Sequence, residues 1–227
     1  MRVLISCLLS AFVILSGSSV CQAALLITEI MNNPSGTDGT VSNSQEWFEL
    51  FNSNATVVNL GNIKWDDDLD ASDGQTLSGI LTRGQYAIVA NLAKSTWEGF
   101  FGALPAGTIF VQIPNPNWQV LNNASGDTIS LYNTTTATNF LTTSYGTTTN
   151  GVALQYAGTR TPYLVGPSAW TNATTIGGGT SGDKHSAGSS PLHATPEPAS
   201  FALLALAGFG LAVVIRRQRH AVSMAQM

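Results

Sequence analysis

The chain has 227 residues, only 10% of them charged, and its two cysteines, Cys7 and Cys21, both lie near the start. Everything downstream therefore excludes disulfides, thiolate metal centres and thiol catalysis, and must fold on an apolar core alone. Between Ala24 and Thr195 twelve acids face five bases (Lys64, Arg83, Lys94, Arg160, Lys184), a net charge of −7, and such a region repels phosphate backbones, which excludes nucleic acid as a direct partner.

In chain order, Arg2 is a short basic start and Val3–Leu15 an apolar run too short to span a bilayer. Small residues then lead into Val20-Cys21-Gln22-Ala23-Ala24. Cys21 and Ala23 place small side chains at −3 and −1, so residues 1–23 read as a signal peptide that signal peptidase cuts between Ala23 and Ala24. Acylation on Cys21 is the rival reading, and Val20 is large for it.

Short β-type runs separated by turn residues follow: Leu25–Ile30, Trp47–Phe51, Val57–Leu60, Ile63–Trp65, Tyr86–Ala90, Ile109–Ile113, Thr128–Tyr132, Asn139–Thr143 and Val152–Tyr156. Runs this short, bounded by signals such as Asn33-Pro34, Asp73-Gly74 and Ser125-Gly126-Asp127, predict an all-β sandwich or barrel over residues 24–171. In Trp47-Phe48-Glu49-Leu50-Phe51 alternation puts Phe48 and Leu50 on one face and Trp47, Glu49 and Phe51 on the other. One helix is expected, capped by Ser95 and running to Phe101, as a connection over one end of the sandwich.

Asp66, Asp67, Asp68, Asp70 and Asp73 crowd a turn ending at Gly74. Hard oxygen ligands suit Ca²⁺, with Asp66, Asp68, Asp70 and Asp73 as the expected donors, though the spacing is not that of an EF-hand. The bland alternative is a solvated turn. No cofactor is required by any motif. The exported region has two histidines, His185 and His193, both in a Gly/Ser/Thr-rich stretch, and no nucleophile elbow or phosphate loop. Glu29 and Glu49 could form an acid pair only if their strands converge. Trp118 and Trp170 stand in loop-like segments, where aromatics either stack on sugars or cap a core edge. Residues 172–195 read as a flexible linker with a span on the order of 25 Å.

At the end, Pro196-Glu197-Pro198 precedes an uncharged run, Ala199–Ile215, and then Arg216, Arg217 and Arg219. The run is roughly 25 Å long as a helix, just enough to cross a bilayer core. Arginines on one flank would keep the C-terminus cytoplasmic and the domain outside. Taken bare, this is a single-span anchor.

Residues 196–219, in that order, resemble the PEP-CTERM protein-sorting signal. The resemblance implies recognition and cleavage near Pro196 by an exosortase, a membrane protease, in a Gram-negative bacterium that makes exopolysaccharide. Leu26–Pro34, Glu46–Asn52, Val58–Asp66, Leu81–Val89 and Ser125–Tyr132 resemble, in order, the strands of the lamin-tail domain, with Thr82-Arg83 where that family carries proline. This second resemblance covers roughly residues 25–157 and implies an immunoglobulin-like β-sandwich. The combined expectation is a non-enzymatic binding or structural module. It would sit at the cell surface or in the extracellular matrix, with exopolysaccharide a partner it could meet. The alternatives are a secreted hydrolase acting on extracellular polymer or phosphoester, and a calcium-dependent adhesin.

Overall fold

The computed structural model describes residues 25–54, 56–156 and 170–189. Among the described residues, twelve strands form three sheets. A six-stranded sheet has the order β12-β11-β1-β2-β7-β8, from β1 (Leu25–Met31), β2 (Trp47–Asn52), β7 (Tyr86–Ala90), β8 (Ile109–Gln112), β11 (Leu154–Tyr156) and β12 (Trp170–Asn172). All its pairings are antiparallel except β7–β8. A four-stranded sheet has the order β10-β9-β4-β5, from β4 (Ile63–Asp66), β5 (Gln75–Thr76), β9 (Asp127–Asn133) and β10 (Thr138–Tyr145). A small ribbon joins β3 (Val58–Asn59) to β6 (Ile80–Leu81).

The two larger sheets enclose the main core, as in an immunoglobulin-like sandwich. Leu25, Ile27, Ile30, Phe48, Leu50, Ala87 and Val89 from one meet Ile63, Trp65, Ile129, Leu131 and Leu141 from the other. Phe48 and Trp65 rings lie 4.9 Å apart, as do Trp65 and Trp118. Each large apolar side chain so buried contributes about 1.5–3 kcal/mol.

The six-stranded sheet is also covered on its outer face, where Met31, Trp47, Ile88 and Ala90 form a second core. Its cover begins with the helix α1, Lys94–Phe101, whose Trp97 and Phe101 rings stand 5.5 and 5.9 Å from Trp47. Ser95 is therefore not its cap. Ala93 takes that place without a side-chain bond, because packing of the aromatic pair on Trp47, rather than a hydroxyl, sets where the helix begins. The helix lies on the outer face of the sheet, not over an end of the sandwich.

Residues 172–189 correct the expectation of a linker. After β12, the chain folds back as a strap along β11. Ala153 N–H donates to Lys184 O (2.9 Å), and Lys184 N–H donates to Gly151 O (2.8 Å). The glycines that suggested flexibility have a packing cause: a Cβ on Gly177 would strike the His185 ring, and one on Gly179 the Phe100 carbonyl. His185 is buried, 5.7 Å from the Trp47 ring. Trp118 and Trp170 are buried too, so neither offers a face to a sugar.

Among the described residues no helix is long and apolar enough to cross a membrane. The signal-peptide site at Ala23 and Ala24, the sorting residues Pro196, Glu197, Pro198, Arg216, Arg217 and Arg219, and the expected span 199–215 lie outside the described residues.

Candidate functional site

Three glutamates of the six-stranded sheet and its margin are fully buried: Glu29, Glu46 and Glu49. A break in strand phase creates the first pair. Leu25 and Ile27 face the main core, and strict alternation would send Glu29 there as well. The β1–β2 register shifts between Ile27 and Glu29, so that Ile30 takes the core position. A bulge at Thr28 thus sets Glu29 directly opposite Glu49 on the other face.

The strap closes over this pair. Glu29 Oε1 accepts from Ser186 N (2.8 Å) and Gln155 Nε2 (3.2 Å), and Oε2 accepts from Ser186 Oγ (3.1 Å). Glu49 Oε2 accepts from Gly188 N (2.5 Å), while its Oε1 lies 2.5 Å from Thr28 Oγ1. Burial, and then the neighbouring Glu29 charge, push Glu49 well above the usual carboxyl range. Burial also raises Glu29, to about 7, against the donors from Ser186 and Gln155. Glu49 is consequently the partner held further toward its neutral form, and its Oε1 accepts from the Thr28 hydroxyl.

His185 completes the strap. Ala187 N–H donates to its Nδ1 (3.3 Å), which leaves Nε2–H to donate to Phe101 O (2.9 Å). Burial depresses its pKa, so it is a neutral, fully bonded ring. An open groove of about 460 Å³ runs beside the strap between Leu104, Pro105, Thr175 and Ile176. The polar side chains Gln155 and Ser186 on its wall are already committed to Glu29.

Glu46 ties the loops together. It accepts from Trp118 Nε1 (2.8 Å), Leu121 N (3.2 Å) and Gly39 N (2.9 Å), and burial raises its pKa. Above it, Gly39, Asp67, Val120, Leu121, Asn122, Asn123 and Asp127 line an open cavity of about 440 Å³.

The aspartate turn is built differently from expectation. Asp66, Asp67 and Asp68 bring carboxylate oxygens within 4.8 Å of one another. Asp70 is exposed and turned away, accepting from Ser72 N (2.9 Å) and Asn139 Nδ2 (3.3 Å), which lowers its pKa. Asp73 is exposed and stands outside the group. The side chain that sequence reasoning passed over is Asp67, which shares a cavity with Asp127 from a different strand. Burial, contact with Asp66 and the charges of Asp127 and Asp66 raise Asp67 to about 7.

Comparison with known proteins supplies two findings. The family model described as Lamin Tail Domain matches residues 21–149. The PEP-CTERM protein-sorting motif matches residues 194–219, which marks an exported protein processed by an exosortase at the cell envelope. No curated protein and no solved structure matches the chain.

Proposed function

Because the chain belongs to the lamin tail domain family and carries a PEP-CTERM sorting motif, we propose that its exported domain is a binding or structural module of the cell surface or matrix, not an enzyme. The observation that carries this reading is the fate of its strongest acid–base pair. Glu29 and Glu49 converge, yet every one of their four oxygens is engaged in holding Thr28, Gln155 and the strap. A general acid must reach a reacting group, and this pair reaches the protein's own backbone. The net charge of −7 on residues 24–195 suits a hydrated, polar surrounding such as exopolysaccharide rather than an anionic polymer.

The route proposed for the chain is export on residues 1–23, cleavage after Ala23 by signal peptidase, transient anchoring through 199–215 with the C-terminus cytoplasmic, and cleavage near Pro196. Intact mass of the protein from its host, in membrane and medium fractions, tests the route. A mass ending near residues 195–198 supports sorting and release; a membrane form running to Met227 means a permanent anchor.

A hydrolase reading draws on the pairing of Glu29 with Glu49 and needs the strap to lift. It is tested by turnover of extracellular polymers or phosphoesters that disappears in Glu29→Gln.

A further inference from the structure

We infer that the end of the strap, His185–Ser189, is a pH-gated latch on the outer face of the six-stranded sheet. It stays closed over Glu29 and Glu49 while at least one of the two acids keeps its proton, and it opens more often once both ionise. The latch is independent of what the domain binds. Its opening reshapes the groove of about 460 Å³, because His185, Ser186, Ala187 and Ser189 form part of that wall.

The donors around the pair fit one negative charge, not two. Glu29 and Glu49 stand directly opposite each other across β1–β2, and both are fully buried. Glu29 accepts from Ser186 N (2.8 Å), Ser186 Oγ (3.1 Å) and Gln155 Nε2 (3.2 Å), a set that can carry an ionised carboxylate. Glu49 has the weaker set, Gly188 N and the Thr28 hydroxyl. No base among the described residues answers a second charge. On the strap, Asp183 accepts from Ser35 N, Lys184 is exposed, and the neutral His185 is bonded to Phe101 O. On α1, Lys94 pairs with Glu98. Strand β7 offers only Tyr86, against the Phe51 ring, and β11 only Tyr156, which belongs to the main core. Strand β8 has no titratable side chain. Two like charges in a dry site without a cation cannot both be held, so one proton stays or water must enter.

Water enters where the strap lies. Ser186 covers Glu29 and Gly188 covers Glu49. From Asp183 to Ser189 the one apolar side chain is that of Ala187, so the segment is held mainly by polar contacts, several of them to the acids themselves. A segment with so little buried apolar surface opens at a lower cost than the strands beneath it. Lys184 marks the hinge, since its backbone is bonded on both sides, to Ala153 N and Gly151 O. Once the strap lifts, the carboxyls meet water and ionise near the ordinary value of 4.5, whereas in the closed form Glu29 keeps its proton to about 7. The open form therefore binds fewer protons, and rising pH favours it.

Hydrogen exchange read by mass spectrometry on the full chain in detergent tests the latch. It is run at about pH 5 and about pH 8, with each amide's rate divided by its intrinsic rate at that pH. Protection of residues 185–189 should fall more than about tenfold between the two, while β2 and β9 keep theirs. Glu49→Gln leaves a single acid and should shrink that fall, and Glu29→Gln with Glu49→Gln should abolish it. Protection of β2 and β9 shows whether each variant folds, and Glu49→Gln alone decides if the double variant does not. Three results would overturn the latch: equal protection of 185–189 at both pH values in the unsubstituted chain, a loss shared equally by β2 and β9, or a fall that Glu49→Gln leaves undiminished.

Discussion

The domain contains two groups of crowded acids, and they are built in opposite ways. Glu29 and Glu49 are buried where β1 meets β2, and donors from Thr28, Gln155, Ser186 and Gly188 meet all four oxygens. Asp67 and Asp127 line an open cavity, with Asp66 and Asp68 close to Asp67. Both groups lack a cationic side chain. In the first, raised pKa values and donors enclosed by the strap replace it; in the second, Asp67 is likewise raised to about 7 and backbone N–H groups meet Asp66 and Asp127, but the group stays open to water. Enclosure and donor count, not acid count, therefore separate the two groups.

The largest way to break the contrast is Glu49→Ala. It opens a cavity and leaves Gly188 N–H and Thr28 without their partner, and should cost about 3–5 kcal/mol by urea unfolding. Glu49→Gln keeps the shape of a residue already neutral and should cost under about 1 kcal/mol. If the two substitutions cost the same, Glu49 is ionised and the assignment of the proton falls.

Next comes pH. Glu29 holds its proton to about 7 in the fold, against 4.5 as the ordinary value. The unfolded chain releases that proton first, so stability is full below pH 4.5 and is lost as pH rises to about 7. The loss should be on the order of 3 kcal/mol. Urea midpoints at pH 4.5 and 8 measure it, and Glu29→Gln should flatten most of the slope.

Removing one donor is smaller. Trp118→Phe takes the indole N–H from Glu46 and should cost about 1–2 kcal/mol, with a Tm drop that is larger at pH 8 than at pH 5, because the ionised acid needs the donor more. At the bottom of the scale, Asp70→Asn should leave the urea midpoint essentially unchanged, since that residue is exposed.

The contrast also marks how far sequence reading reaches. The alternation in Trp47–Phe51 was legible and correct, with Phe48 and Leu50 in the main core and Trp47 outside it. The bulge left a trace, for Leu25 and Ile27 are in phase and Ile30 is not, but the identity of the strand opposite Glu29 is a long-range fact. Local spacing selected Asp66, Asp68, Asp70 and Asp73, whereas the fold brings Asp66, Asp67 and Asp68 together and leaves Asp70 and Asp73 apart. Composition misread the strap: Gly177 and Gly179 are close-approach glycines, and a run of small residues looks the same whether it avoids neighbours or touches them. Strands β5 and β6 are two residues each, too short for periodicity to register.

The strap has a consequence in time. An exported chain emerges from its N-terminus onward, so β1 and β2 are outside early, carrying Glu29 and Glu49 with water in place of the strap's donors. Ser186 and Gly188 arrive 157 and 139 residues after the acids they satisfy, immediately ahead of the sorting motif. The part of the outer face that holds Glu29 and Glu49 stays open through almost the whole of translocation and is sealed only as the sorting segment comes into place. Completion of the fold and presentation of the chain for sorting thus fall at nearly the same moment, and a domain stalled before residue 189 would show an exosortase neither a finished fold nor a motif.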